Sequence, residues 1–173
     1  AGETNAIFNG EPVKVDISAS TGGYIVTAAA GTATVGVLNG VFFTAATTLK
    51  PTFSNFYPAA TTPANSEDVT AFVNDDPLQE YIIASDATLG ATLALRKSKV
   101  GLTYATTASA GSTTTGKSSL QLGISTAATT AKALRVVRVA EDPENEDQTA
   151  ANCSVVVKIN LHQYTVGSLA TGI

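Results

Sequence analysis

The sequence predicts an all-β protein: an antiparallel sandwich or barrel of short strands, with at most one short helix and an extended N-terminal arm. Three observations lead there. Thr is abundant, and its branched Cβ suits a pleated sheet better than a helix. Apolar and polar residues alternate at period two in residues 13–20 and 153–165, the signature of strands with one covered and one open face. Turn-forming residues separate the apolar runs at intervals of roughly 8–12 residues, as in sandwiches and barrels. No stretch suits the long helix of a parallel crossover.

In chain order, residues 1–12 contain Gly2, Gly10 and Pro12 without periodicity and are expected to form the arm, leaving 13–173 as a single β-rich domain. Residues 13–20 form a strand with Val13, Val15 and Ile17 on the buried face. Thr21-Gly22-Gly23 turns the chain into a second strand at 24–27. Residues 34–44 read as two short strands broken at Asn39-Gly40, a strong two-residue turn signal. The proline-bracketed aromatic stretch 51–58 suits an irregular loop, and 61–67 a polar connection. Strands at 69–73 and 79–84 flank a turn at Asn74-Asp75-Asp76-Pro77, where Pro presets φ. Asp86 is placed to cap one or two helical turns within 86–95, with Leu89 and Leu93 four apart. Residues 106–117 form a low-complexity exposed loop. Strands at 119–124, 134–140 and 153–165 complete the fold. In the last of these Cys153, Val155, Val157, Ile159 and Leu161 share the buried face, and His162 lies on the wet one.

Composition narrows function. Only 14% of residues are charged while 44% are hydrophobic, about half the usual charged share. The surface must therefore be built from Thr, Ser, Ala, Gly and Asn, which suits a protein largely covered by neighbours. The net charge of −4 and the single cluster Arg96-Lys97-Ser98-Lys99 offer no basic stripe for phosphates, so no nucleic acid is expected. One Cys cannot close an internal disulfide. No apolar run approaches the roughly 20 residues a bilayer requires, and residues 1–25 show no signal-peptide pattern. The expectation is a chain made in the cytoplasm with no membrane partner.

Cys153 and His162, nine residues apart, fall on opposite faces of either a strand or a helix, which rules out a local dyad. Residues 111–118 (GSTTTGKS) spell a P-loop, but a P-loop needs a buried strand before it and a long helix after it. The flanks here are a polar run and an alternating strand. The acidic run 141–147 lacks the glycine and spacing of a calcium loop and reads as a solvated turn. No zinc spacing occurs. The expectation is no catalytic residue, no cofactor and no metal.

Aromatics are the remaining signal. Among six Phe and five Tyr, the residues Phe42, Phe43, Phe53, Phe56 and Tyr57 crowd one short stretch. Aromatics dominate both cores and interfaces. Phe8, Phe53, Phe56 and Tyr57 are taken as candidate partner contacts.

Three segments carry a resemblance: VGVLNGVFFTAATTLKPTFSNFYP from Val35, VNDDPLQEYII from Val73, and VVVKINLHQY from Val155. In this order and spacing they resemble small structural proteins of tailed bacteriophages, including cyanophages and marine phages, described as capsid decoration or cement proteins. The resemblance spans about two-thirds of the chain. It implies a β-rich, catalytically inert homo-oligomer bound in many copies to the major capsid protein on the outside of an icosahedral virion. It carries no contact residues across, so the four aromatics above rest on composition alone. The alternative function is a secreted adhesive or carbohydrate-binding β-domain, which shares the Thr/Ala-rich surface.

Overall fold

A computed structural model describes residues 3–18, 22–107, 111–129, 131–140 and 149–165. It is all-β, with antiparallel pairing throughout the named strands and one short helix. The first sheet holds β1 (Pro12–Val15), β2 (Ile25–Thr27), β3 (Gly36–Thr44), β4 (Pro51–Ser54) and β5 (Thr70–Asn74). Its order is β2-β1-β3-β4, with β5 on β3. The second holds β6 (Glu80–Ala84), β7 (Thr103–Tyr104), β10 (Leu134–Val139) and β11 (Ser154–Ile159), ordered β6-β11-β10-β7. A two-stranded ribbon pairs β8 (Thr106–Thr107) with β9 (Gln121–Leu122). No helix among the described residues is long and apolar enough to cross a membrane.

Each main sheet has its own apolar cluster. Ile7, Val13, Val35, Leu38, Val41 and Tyr57 pack on the first. Leu89, Tyr104, Leu122, Val136, Val155 and Val157 lie at the heart of the second. Polar links join the two. The side chain of Gln163 treats Val15 as a strand neighbour would, its Oε1 accepting from Val15 N–H at 2.8 Å and its Nε2 donating to Val15 C=O at 3.3 Å. Thr34 and His162 form a parallel bridge beside it, and Tyr81 Oη donates to Asn74 C=O across the β5–β6 connection.

Several elements differ from the sequence expectations. Residues 34–44 are not a hairpin: β3 runs unbroken through Asn39-Gly40. Leu38 pairs with Val73 and Gly40 with Phe72, so Asn39 is the extra residue of a bulge. A bulge and a two-residue turn make the same demand, a glycine free of L-residue limits, and long-range pairing with β5 decides for the bulge. The stretch 51–58 is not wholly irregular, because its first four residues form β4 and pair with Val41 to Thr44. Strand β1 ends at Val15. Asp16 Oδ1 then accepts from Ser18 N–H, a local turn that competes with the ladder, and Ile17 is exposed.

The helix α1 (Leu93–Lys97) starts later than expected, capped by Thr92, whose hydroxyl accepts from Leu95 N–H. Asp86 instead accepts from Ile124 N–H. Leu89 is buried and Leu93 exposed, so the two do not share a covered face. The strand expected at 119–124 shrinks to β9, with a 3₁₀ turn at Ile124–Thr126. The acidic run 141–147 lies outside the described residues.

The stretch expected as an extended arm docks on the first sheet. Ile7 exchanges backbone hydrogen bonds with Tyr57, Asn9 N–H donates to Gly116 C=O, and Gly10 N–H donates to Leu38 C=O. Ile7 is 3% exposed and belongs to the first core cluster.

Candidate functional site

The two faces of the first sheet have opposite characters, and the register explains why. On β3 the bulge sets Leu38 and Val41 inward, with Gly40 and Phe42 outward. Gly40 lies beside Phe72 of β5, and Phe42 lies between Phe53 of β4 and Thr70 of β5. The burial of β4 and β5 alternates accordingly, with Pro51, Phe53, Thr70, Phe72 and Asn74 exposed. Three phenylalanines therefore stand on one open face, at 42% (Phe42), 63% (Phe53) and 46% (Phe72) exposure. The rings of Phe53 and Phe72 lie 5.9 Å apart at a 48° tilt, a favourable edge-inclined pairing. Gly40 makes this possible. A Cβ there would meet Phe53 Cζ at 2.8 Å and Ser54 O at 2.9 Å, so the bare backbone is the bed on which Phe53 rests.

The inner face carries a hollow of about 450 Å³. Its floor is apolar, with Leu38, Val41 and Ala71 from the sheet, Val69 just ahead of β5, and Ile7 and Tyr57 from the segments laid over it. Glu3, Glu67 and Asp68 stand among its walls. Tyr24 Oη donates to Asp68 Oδ1 at 3.1 Å. That bond, and next the Asp68 charge, push the Tyr24 hydroxyl above its ordinary pKa. Tyr57 is likewise raised, first by burial and then by the charge of Glu3.

The four aromatics singled out from the sequence separate. Phe53 is on the open face. Phe8 and Phe56 stack on each other, centroids 5.5 Å apart and planes within 7°. Gly111 closes against Phe8, where an added Cβ would fall 2.3 Å from the ring. Tyr57 is a core residue at 8% exposure, its hydroxyl donating to Glu3 C=O. Burial of the ring among apolar neighbours keeps it off the exposed phenylalanine face. Sequence reasoning passed over Phe72 and did not select Phe42. The available signal was alternation within β3 and β5, which the expected break at Asn39-Gly40 hid.

His162 also moves. Placed on the wet face of a terminal strand by alternation, it is 1% exposed. Strand β11 stops at Ile159, and the chain then turns so that the imidazole enters the junction between the sheets. Its Nδ1 accepts from Tyr164 N–H at 3.1 Å, so Nε2 carries the proton, and Nε2 is buried with no hydrogen-bond partner among the described residues. Cys153, at 3% exposure, sits in the second core.

The P-loop spelling folds as a closed turn. Ser112 N–H donates to Lys117 C=O and Gly116 N–H to Ser112 C=O, while Thr115 N–H donates to Ser112 Oγ. These amides serve the loop itself, and the chain continues into β9. Among the described residues no three His, Cys, Asp or Glu side chains gather as a metal would need.

Fold and site together define a class: an all-β antiparallel protein with an aromatic, solvent-facing sheet surface and an acid-rimmed hollow behind it. No protein-family model, curated protein or solved structure matches this chain.

Proposed function

We propose that the chain is a non-enzymatic structural protein that decorates the outside of a phage capsid, docking the open face of its first sheet on the major capsid protein. The observation that carries this is the Phe42–Phe53–Phe72 face. A soluble chain that leaves three neighbouring phenylalanines in water has a use for them, because exposed apolar patches mark contact sites. Together they present about 300 Å² of apolar surface, taking some 200 Å² for a whole ring side chain. At about 25 cal/mol per Å² this is about 7 kcal/mol of gross driving force on burial. Association costs consume much of it, which fits modest contacts repeated over many symmetry-related sites. The low charge content supports the same reading, as do a Cys and a His both held inside the fold. Copies of the chain meeting on the shell would share the remaining polar surface.

The test is made on purified particles. The protein should be present at a copy number comparable to the major capsid protein, and particles stripped of it should rebind wild type but not a Phe53→Ser/Phe72→Ser variant. Intact particles that never contained the protein would refute the proposal. The competing reading, a secreted sugar-binding domain, draws on the same rings as a stacking platform, and clear glycan-array hits lost in that variant would favour it.

A further inference from the structure

We infer that the hollow behind the first sheet is a binding site for an organic cation, an ammonium or guanidinium group carried on an apolar stem. The site lies on the opposite face from the phenylalanines and stands independently of the capsid reading. Its size, about 450 Å³, is within the range of small-ligand pockets and far beyond the voids of a packed interior. Leu38 and Val41 beneath it are each 2% exposed, so the floor is firm and would seat an aliphatic or aromatic body.

Charge at the rim selects the head group. Glu3, Glu67 and Asp68 line the hollow, and no Lys, Arg or His does so among the described residues. Two of these carboxylates are already held in place. Glu3 accepts from Asn5 N–H at 2.9 Å and Thr27 N–H at 3.4 Å, and Asp68 accepts from Tyr24 Oη. Bonds of this kind fix the carboxylates in position at the rim. A carboxylate ligand would meet like charge, and a neutral one would gain only the floor.

Ser66, which lines the hollow, and two residues adjoining its lining in sequence hold strained backbone. Asn65 and Ser66 hold consecutive left-handed conformations, φ 55° and 56°, and Ala60 does so at 52°. Only Asn among these tolerates that region readily. Strain of this kind is kept where the surroundings impose it and clusters at ligand clamps.

Three probes of equal stem length test the assignment on the intact chain: hexylammonium, hexanol and hexanoate, each titrated while methyl signals of Leu38, Val41 and Val69 are followed by NMR. Hexylammonium should saturate these methyl shifts, with hexanoate at least about tenfold weaker and hexanol between. Glu67→Gln/Asp68→Asn should weaken hexylammonium about five- to tenfold and leave hexanol unchanged. Ala71→Leu, which fills the hollow from its floor, should abolish all three. Equal affinity for the three probes, shifts that map to the phenylalanine face, or no saturable shift at all would overturn the assignment. The charge-removing pair alters only rim side chains, so it remains informative if Ala71→Leu fails to fold.

Discussion

Replacing Gly40 with Ala adds one methyl group to an open sheet face, a change that is usually harmless on a strand. Here it should be costly. The φ of Gly40 is +152°, outside what an L-residue adopts without a penalty of about 1–3 kcal/mol. The new Cβ would also stand 2.8 Å from Phe53 Cζ and 2.9 Å from Ser54 O. Phe53 can swing away, but Ser54 O belongs to the β4 backbone and moves only by distorting the ladder, an overpacking cost of about 1–3 kcal/mol. The expected loss is about 2–6 kcal/mol. Gly101 provides the control, since its φ is +84° and a Cβ there meets nothing within 4 Å. Gly101→Ala should cost only the left-handed preference, about 1–2 kcal/mol, less some relief from a stiffer unfolded chain. Urea unfolding at constant m-value reads both. If Gly40→Ala is no worse than Gly101→Ala, the close contact with Phe53 and Ser54 is not a structural constraint and the account of the aromatic face fails.

Other expectations concern the joint between the sheets, the docked N-terminal segment and the second core. Gln163→Ala removes both side-chain hydrogen bonds to Val15 and leaves its N–H and C=O short of these partners. It should cost about 1–3 kcal/mol in denaturant melts, with faster exchange of the Val15 amide, and unchanged exchange would show that the Gln163 side chain does not protect that amide. Glu11 has a pKa raised chiefly by burial, with Glu3 adding to it and the Phe8 N–H opposing. A raised carboxyl contributes stability that is fully present below its unfolded pKa and lost as pH rises through the folded one. Glu11→Gln should therefore be the more stable protein at pH 7, and the gap should close as pH falls below the carboxylate range. A constant gap across that window would show that charge is not the cause. Cys153, buried in the second core, should react with a thiol reagent only as fast as the fold opens, and rapid stoichiometric labelling of the native protein would contradict that place. Glu80→Ala breaks an exposed 3.6 Å ion pair with Lys158 and should shift stability by no more than about 1 kcal/mol.

The all-β class was legible because its signal is local. Thr content and period-two alternation report one-sided strands wherever they pair, and β5, β6, β10 and β11 fall close to where alternation places them. Pairing itself is non-local and was not legible. Asn39-Gly40 carries the same local preference in a turn or a bulge, and only β5, some 30 residues away in sequence, distinguishes them. Pro51 suggested a loop, yet proline is tolerated at the first residue of a strand, which is where β4 begins. For His162 the error was one of length. Alternation was continued past Ile159, where the strand ends, and beyond a strand end parity says nothing about burial. The aromatic face was half legible: the crowding of rings pointed to the region, but the choice between Phe53, which is exposed, and Tyr57, which is core, rests on register alone.

The bulge at Asn39 joins these observations. In a regular strand Leu38 and Val41, three residues apart, would face opposite ways. One inserted residue puts both beneath the hollow and turns Gly40 and Phe42 outward. The insertion also leaves Asn39 outside the β3–β5 register, and its carbonyl accepts from Asn9 Nδ2 at 2.9 Å. The neighbouring Leu38 carbonyl accepts from Gly10 N–H. The docked N-terminal segment is thus held at the same irregularity that sorts the two faces. Glu3 and Ile7, which this segment brings to the hollow, depend on that anchorage. Phe53 depends on the bare Gly40 next to it. A single extra residue in β3 therefore underlies the aromatic surface, the acid-rimmed hollow and the anchorage of the N-terminal segment alike.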